Sequence, residues 1–98
     1  MNFTARFKYL PNKYLIMIEI SVHARVAMSE DGISEEEINM CLERGELEIK
    51  QLVQEEMRYG KQLEFKDKTI MVIYTYRKEG TRVITAYLIR RKKWQQNK

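Results

Sequence analysis

From residue 62 onward apolar stretches rich in β-branched and aromatic residues are separated by short polar clusters, the pattern of strands joined by turns. That pattern predicts strands over residues 62–65, 69–76 and 82–91. Between them, Lys66-Asp67-Lys68 and Lys78-Glu79-Gly80-Thr81 have the composition of hairpin connections. On the last strand Val83, Thr85, Tyr87, Ile89 and Arg91 fall on one face, and Ile84, Ala86, Leu88 and Arg90 on the other. Small and aliphatic Ile84, Ala86 and Leu88 read as the core side, leaving Thr85 and Tyr87 on the open face. On the preceding strand Ile70, Val72, Tyr74 and Tyr76 oppose Met71, Ile73 and Thr75.

The N-terminal half has a different pattern. Residues 14–20 are rich in β-branched and bulky side chains and read as a short strand, with a helical lead-in as the rival. Ser21 can cap a first helix to about residue 29, with Val22 and Val26 one turn apart on its inner side and Asp31-Gly32 as its breaker. The second helix is signalled more fully. Ser34 and Glu37 have capping-box spacing, and Ile33 and Ile38 form the matching hydrophobic staple. Three glutamates suit the positive end of the helix dipole. Ile38, Cys41 and Leu42 make the buried stripe, and Gly45 is the expected left-handed stop. Residues 46–57 fit a strand through Leu47 and Ile49, or a helix from Gln51 on.

Two N-terminal helices followed by a meander predict an α+β fold, with the helices packed on a mainly antiparallel sheet. The 98 residues suffice for one domain with one modest core. Within it, residues 1–20 form an extension with a short strand, 21–92 the core, and 93–98 a basic tail. No apolar run approaches the roughly 20 residues that span a bilayer, so no membrane partner is expected. The single cysteine, Cys41, excludes an internal disulfide and a thiolate metal cluster, and a reducing, cytoplasmic location is the simplest expectation. Net charge is +4, unevenly spread. Residues 29–57 hold 10 acidic and 2 basic side chains, and residues 77–98 hold 8 basic and 1 acidic. A basic end available to polyanions follows, unless acidic helices and basic strands neutralise each other across the fold.

The candidate chemistry is sparse. His23 is the only histidine, and histidine alone has an ordinary pKa, roughly 6.5, suited to proton transfer near neutrality. A lone histidine near a helix start more often packs at a rim or bonds a carbonyl. No second histidine or thiolate pair completes a zinc set, and none of the four glycines begins a phosphate-cradling or dinucleotide motif. No metal and no small-molecule cofactor is therefore expected. Tyr74 and Tyr76 beside arginines offer surfaces for stacking bases, although tyrosine is also an ordinary strand former. The run Arg90-Arg91-Lys92-Lys93 can neutralise phosphates, or simply be a solvated tail.

The ordered succession His23-Ala24-Arg25, Gly32-Ile33-Ser34 with Glu37-Ile38, Gly60, residues 72–76 and Val83-Ile84-Thr85-Ala86-Tyr87 resembles an uncharacterised bacterial domain family. That family opens on a His-Ala-Arg helix and closes on a Val-Ile-Thr-x-Tyr strand. It is similar in turn to the BrnT and RelE group, small α+β ribonucleases of toxin–antitoxin modules. The resemblance implies RNA as substrate, an antitoxin-like protein as partner, and metal-independent cleavage in which a ribose 2′-hydroxyl attacks the adjacent phosphate. Its catalytic candidates are His23, Arg25, Tyr87 and Arg90; Tyr74, Tyr76, Arg91, Lys92 and Lys93 are the RNA-binding candidates. One histidine cannot serve as both base and acid, so the catalytic reading requires His23 and its partners on the last strand to line one groove. The alternatives are a non-catalytic nucleic-acid-binding module, or a protein-interaction domain.

Overall fold

The computed structural model describes residues 17–90, which form an α+β fold of one five-stranded sheet with two helices against it. Strand β1 (Met17–Ile20) leads into helices α1 (Val22–Asp31) and α2 (Glu35–Arg44). The strands β2 (Glu46–Val53), β3 (Glu56–Glu64), β4 (Thr69–Arg77) and β5 (Gly80–Leu88) follow. The sheet order is β1-β5-β4-β3-β2: an antiparallel meander, with β1 laid parallel to β5 along the outside. The expected fold class is the observed one. Of the predicted strand over 14–20, residues 14–16 lie outside the described residues, as does the tail over 93–98.

Ser21 determines how α1 sits. Its hydroxyl accepts the Ala24 N–H (3.0 Å) as the N-cap and donates to the Ile84 carbonyl (3.1 Å), while its own N–H donates to the Val83 carbonyl (3.1 Å). At the other end, the Asp31 carboxylate accepts the Leu88 N–H (3.3 Å). Pinned at both ends, α1 turns Ala24 and Met28 into the core and leaves Val22 and Val26 exposed. This corrects the expectation that the valines face inward: alanine, the smaller side chain, lets the helix approach β5 closely.

Helix α2 carries the predicted capping box. Glu37 N–H donates to Ser34 Oγ (3.1 Å), and Ser34 N–H donates to the Glu37 carboxylate (3.0 Å). Ile33 and Ile38 are buried, as the staple requires. The left-handed glycine, however, is Gly32 (φ 68°), which ends α1. Gly45 is extended (φ −69°, ψ 163°), because the chain passes straight into β2. It must still be glycine, since a Cβ there would lie 2.5 Å from the Cys41 carbonyl oxygen and 2.9 Å from that of Gln62.

The ambiguous residues 46–57 are strand. Gln54 and Glu55 both have positive φ (50° and 68°), the geometry of a two-residue hairpin whose twist matches its strands. Thus β3 begins at Glu56, earlier than the sequence pattern predicts. Two bulges then shift the faces. Leu47 pairs with Lys61 and Ile49 with Gly60, so Glu48 is an extra residue in β2. Thr85 pairs with Ile73 and Val83 with Tyr74, so Ile84 is extra in β5. Val83 therefore joins Ala86 beneath the helices, fully buried, rather than sharing a face with Thr85 and Tyr87. Ile38, Cys41, Ile70 and Val72 complete the centre of the core.

The helices cover only part of their face. In the β3–β4 turn, Lys68 reaches the Glu37 carboxylate (3.0 Å) and the Gly32 carbonyl (3.2 Å), which fixes the start of α2 at that end of the sheet. Lys61 Nζ donates to the Leu42 carbonyl (2.6 Å), placing the end of α2 midway along β3. Helix α1 runs between the levels of Val83 and Leu88. Beyond these limits, the strand ends that carry Tyr59 and Tyr76 have no helix over them among the described residues.

Candidate nucleic-acid interface

The structure disperses the catalytic candidates. His23 lies exposed in the first turn of α1, on the helix-bearing side. Tyr87 pairs with Met71, while its neighbour Ala86 pairs with Val72 under the helices, so Tyr87 faces the opposite side of the sheet. Arg90, exposed, follows β5 at the end where Asp31 is bound. His23 is eight residues from Asp31 along α1, about 12 Å of helix. Arg25 is engaged by Glu35 (2.7 Å) at the start of α2. His23, Tyr87 and Arg90 thus line no common groove. Arg91, Lys92 and Lys93 lie outside the described residues.

The tyrosines are brought together instead. Tyr74 and Tyr76 project from β4 on the helix-bearing face, and Tyr59 pairs with Tyr74 from β3. The three rings form a compact triangle: centroids are 5.5 Å apart for Tyr59–Tyr74 (stacked), 5.3 Å for Tyr59–Tyr76 and 5.7 Å for Tyr74–Tyr76 (edge-on). Tyr74 is 3% exposed and supports the others, whereas Tyr76 is 60% exposed and Tyr59 half-buried. Burial, with the neighbouring Tyr76 adding to it, pushes the Tyr74 phenol well above its ordinary range, so it stays neutral.

Residues 20–88 match the family model described as a domain of unknown function, DUF4258. The chain belongs to this family. Among curated proteins none matches it. The DUF4258 match runs from the end of β1 through β5, so it contains both helices and all three clustered tyrosines, and stops short of Arg90.

Two cations border the tyrosines of this DUF4258 domain. Lys61 Nζ lies 6.0 Å from the Tyr74 ring centroid and is held by the Leu42 carbonyl at the negative end of α2. Lys50 stands opposite Tyr59 on β2, exposed. On the reverse face at the same end, Arg58 and Arg77 share Glu56 (3.4 and 3.3 Å), and Arg82 is paired with Glu19. Those guanidinium groups point away from the tyrosines, so Lys50 and Lys61 are the cations beside the platform. Cys41 is buried and donates to the Lys61 carbonyl (3.2 Å); burial pushes its thiol up to about 11, the state of a packing residue rather than a nucleophile.

Tyr59 and Lys61 were not candidates from sequence. Their signal was the alternation of β3, hidden because Gly60 reads as a break. Among the described residues no three His, Cys, Asp or Glu side chains cluster as metal ligands, and no helix is long and apolar enough to cross a membrane.

Proposed function

We propose that this chain is an RNA-binding module that stacks unpaired bases on Tyr76 and Tyr59 and pairs the adjoining phosphates with Lys61 and Lys50. One observation carries the reading: a preformed tyrosine triangle on the stretch of the helix-bearing face that the helices leave bare, with a lysine held in place beside it. Base-on-aromatic stacking contributes about 1–3 kcal/mol per base and tolerates any sequence. Single strands are favoured because only unpaired bases present their faces to a flat platform.

The test is binding of a fluorescent single-stranded oligoribonucleotide over a salt series. Tyr76→Ala should weaken binding about 5- to 150-fold without changing the salt slope. Two phosphate contacts give a slope near −1.4 in log–log form, and Lys50→Gln with Lys61→Gln should flatten it. Binding that ignores Tyr76→Ala but collapses on neutralising Arg90, Arg91, Lys92 and Lys93 would move the interface to the tail and overturn the platform.

Kinship with the BrnT/RelE group, and with it metal-independent RNA cleavage and an antitoxin-like partner, is a second reading. Two helices on a mainly antiparallel sheet support it; the separation of His23 from Tyr87 weighs against it. RNA cleavage by the pure protein in chelator, lost in His23→Ala with binding intact, would put the catalytic reading first.

A further inference from the structure

Strand β2 is the long outer edge of the sheet. Seven of its eight residues pair with β3 on one side, and among the described residues nothing pairs with its other side. A free edge of this length is a template for another strand. Leu47 (52% exposed) and Leu52 (65% exposed) lie along it on the helix-bearing face, opposite Lys61 and Met57. Glu48 and Lys50 are exposed there too, and neither forms an ion pair among the described residues.

We infer that β2 pairs antiparallel with β2 of a second copy of this chain, in the register that sets Ile49 opposite Ile49. Charge and face select this register. A two-fold axis perpendicular to the sheet keeps each face on its own side, so paired residues must come from the same face. Centred on Lys50, the pairing sets lysine against lysine, which is unfavourable directly across strands. Centred on Gln51, it sets Lys50 against Leu52 and leaves both charges unpaired. Centred on Ile49, the bulge places Leu47 and Glu48 together opposite Lys50 of the second copy, and symmetry repeats the Glu48–Lys50 pair. Glu46 then opposes Gln51. This register alone among the three pairs both charges and respects the faces. The product is a continuous sheet of ten strands with all four helices on one side, and with both tyrosine platforms on that side.

Sedimentation equilibrium and light scattering over a concentration series test the inference. The wild-type chain should be a concentration-dependent dimer. Glu48→Lys, and separately Lys50→Glu, should each raise the dimer dissociation constant roughly tenfold or more, because two symmetry-related attractions become repulsions. The double exchange Glu48→Lys with Lys50→Glu restores opposite charges and should return the wild-type constant. Circular dichroism melts check that each variant is folded. A chain that stays monomeric at high protein concentration would overturn the pairing. So would a dimer indifferent to both single reversals, or a double exchange no tighter than the singles. The outcome is independent of RNA binding.

Discussion

Truncating Val83 to alanine should cost much more stability than truncating its larger neighbour Ile84. Val83 is fully buried at the centre of the core, whereas Ile84 is half-buried and is the extra residue of the β5 bulge. Removing two methyl groups from Val83 forfeits about 1.6 kcal/mol of transfer free energy, and the cavity left behind adds about 1 kcal/mol. The expected loss is therefore about 2.5 kcal/mol. Ile84→Ala should lose less than about 1 kcal/mol, since its side chain does not pack into that core and its carbonyl still accepts from Ser21. For a domain of this size the unfolding entropy is about 0.2 kcal/mol/K, so the Val83 variant should melt roughly 12 °C lower and the Ile84 variant less than about 5 °C lower. Urea titrations followed by far-UV circular dichroism measure both, with unchanged slopes as the sign that only stability moved. Equal losses, or a larger loss at Ile84, would refute the bulge and return Val83 to the open face.

Two further predictions concern local devices. Gln54→Asn with Glu55→Gly should stabilise the fold by about 1 kcal/mol, raising the melting temperature by about 5 °C, because both positions have positive φ that glycine and asparagine adopt more readily; a lower melting temperature would contradict the turn geometry. Burial opposes the Glu37 carboxylate, but the Ser34 N–H and Lys68 outweigh it and hold its pKa below the ordinary value. A depressed carboxylate adds stability above its unfolded pKa of about 4 that is lost as pH falls through the folded value. Lys68→Met should therefore shrink the drop in stability between neutral and acid pH, as read from urea midpoints at each pH.

Legibility in the sequence followed the range of the interaction. The α2 capping box and its staple are complete within six residues, and both stand as read. The rotation of α1 is not local. It depends on hydrogen bonds from Ser21 to Val83 and Ile84, about sixty residues away, so Val22 and Val26 looked as suitable for the core as Ala24 and Met28. Bulges are equally non-local. Alternation counts residues along one strand, and nothing in residues 80–88 alone states that Ile84 has no partner on β4. The same limit governed the site. Tyr74 and Tyr76 were visible as tyrosines, but Tyr59 joined them only through the β3–β4 register; the side of Tyr87, by contrast, was legible, since alternation already puts it on the face away from the helices.

The proposed β2 pairing bears directly on the proposed RNA interface. A single platform exposes two rings, so one or two stacked bases supply only about 1–6 kcal/mol before the cost of ordering the strand is subtracted. That alone gives weak binding. Joining two copies through β2 sets a second platform on the same side of a continuous sheet. A strand long enough to reach both then binds the second intramolecularly, at millimolar effective concentration, and can gain 10²- to 10⁴-fold with no new kind of contact. Affinity should therefore rise abruptly with oligonucleotide length in the wild type. It should rise only gradually in Lys50→Glu, whose lost phosphate contact weakens every length alike. The double exchange Glu48→Lys with Lys50→Glu separates the two effects: if it recovers the abrupt length dependence, dimer geometry is the cause, and if it does not, the platforms act singly.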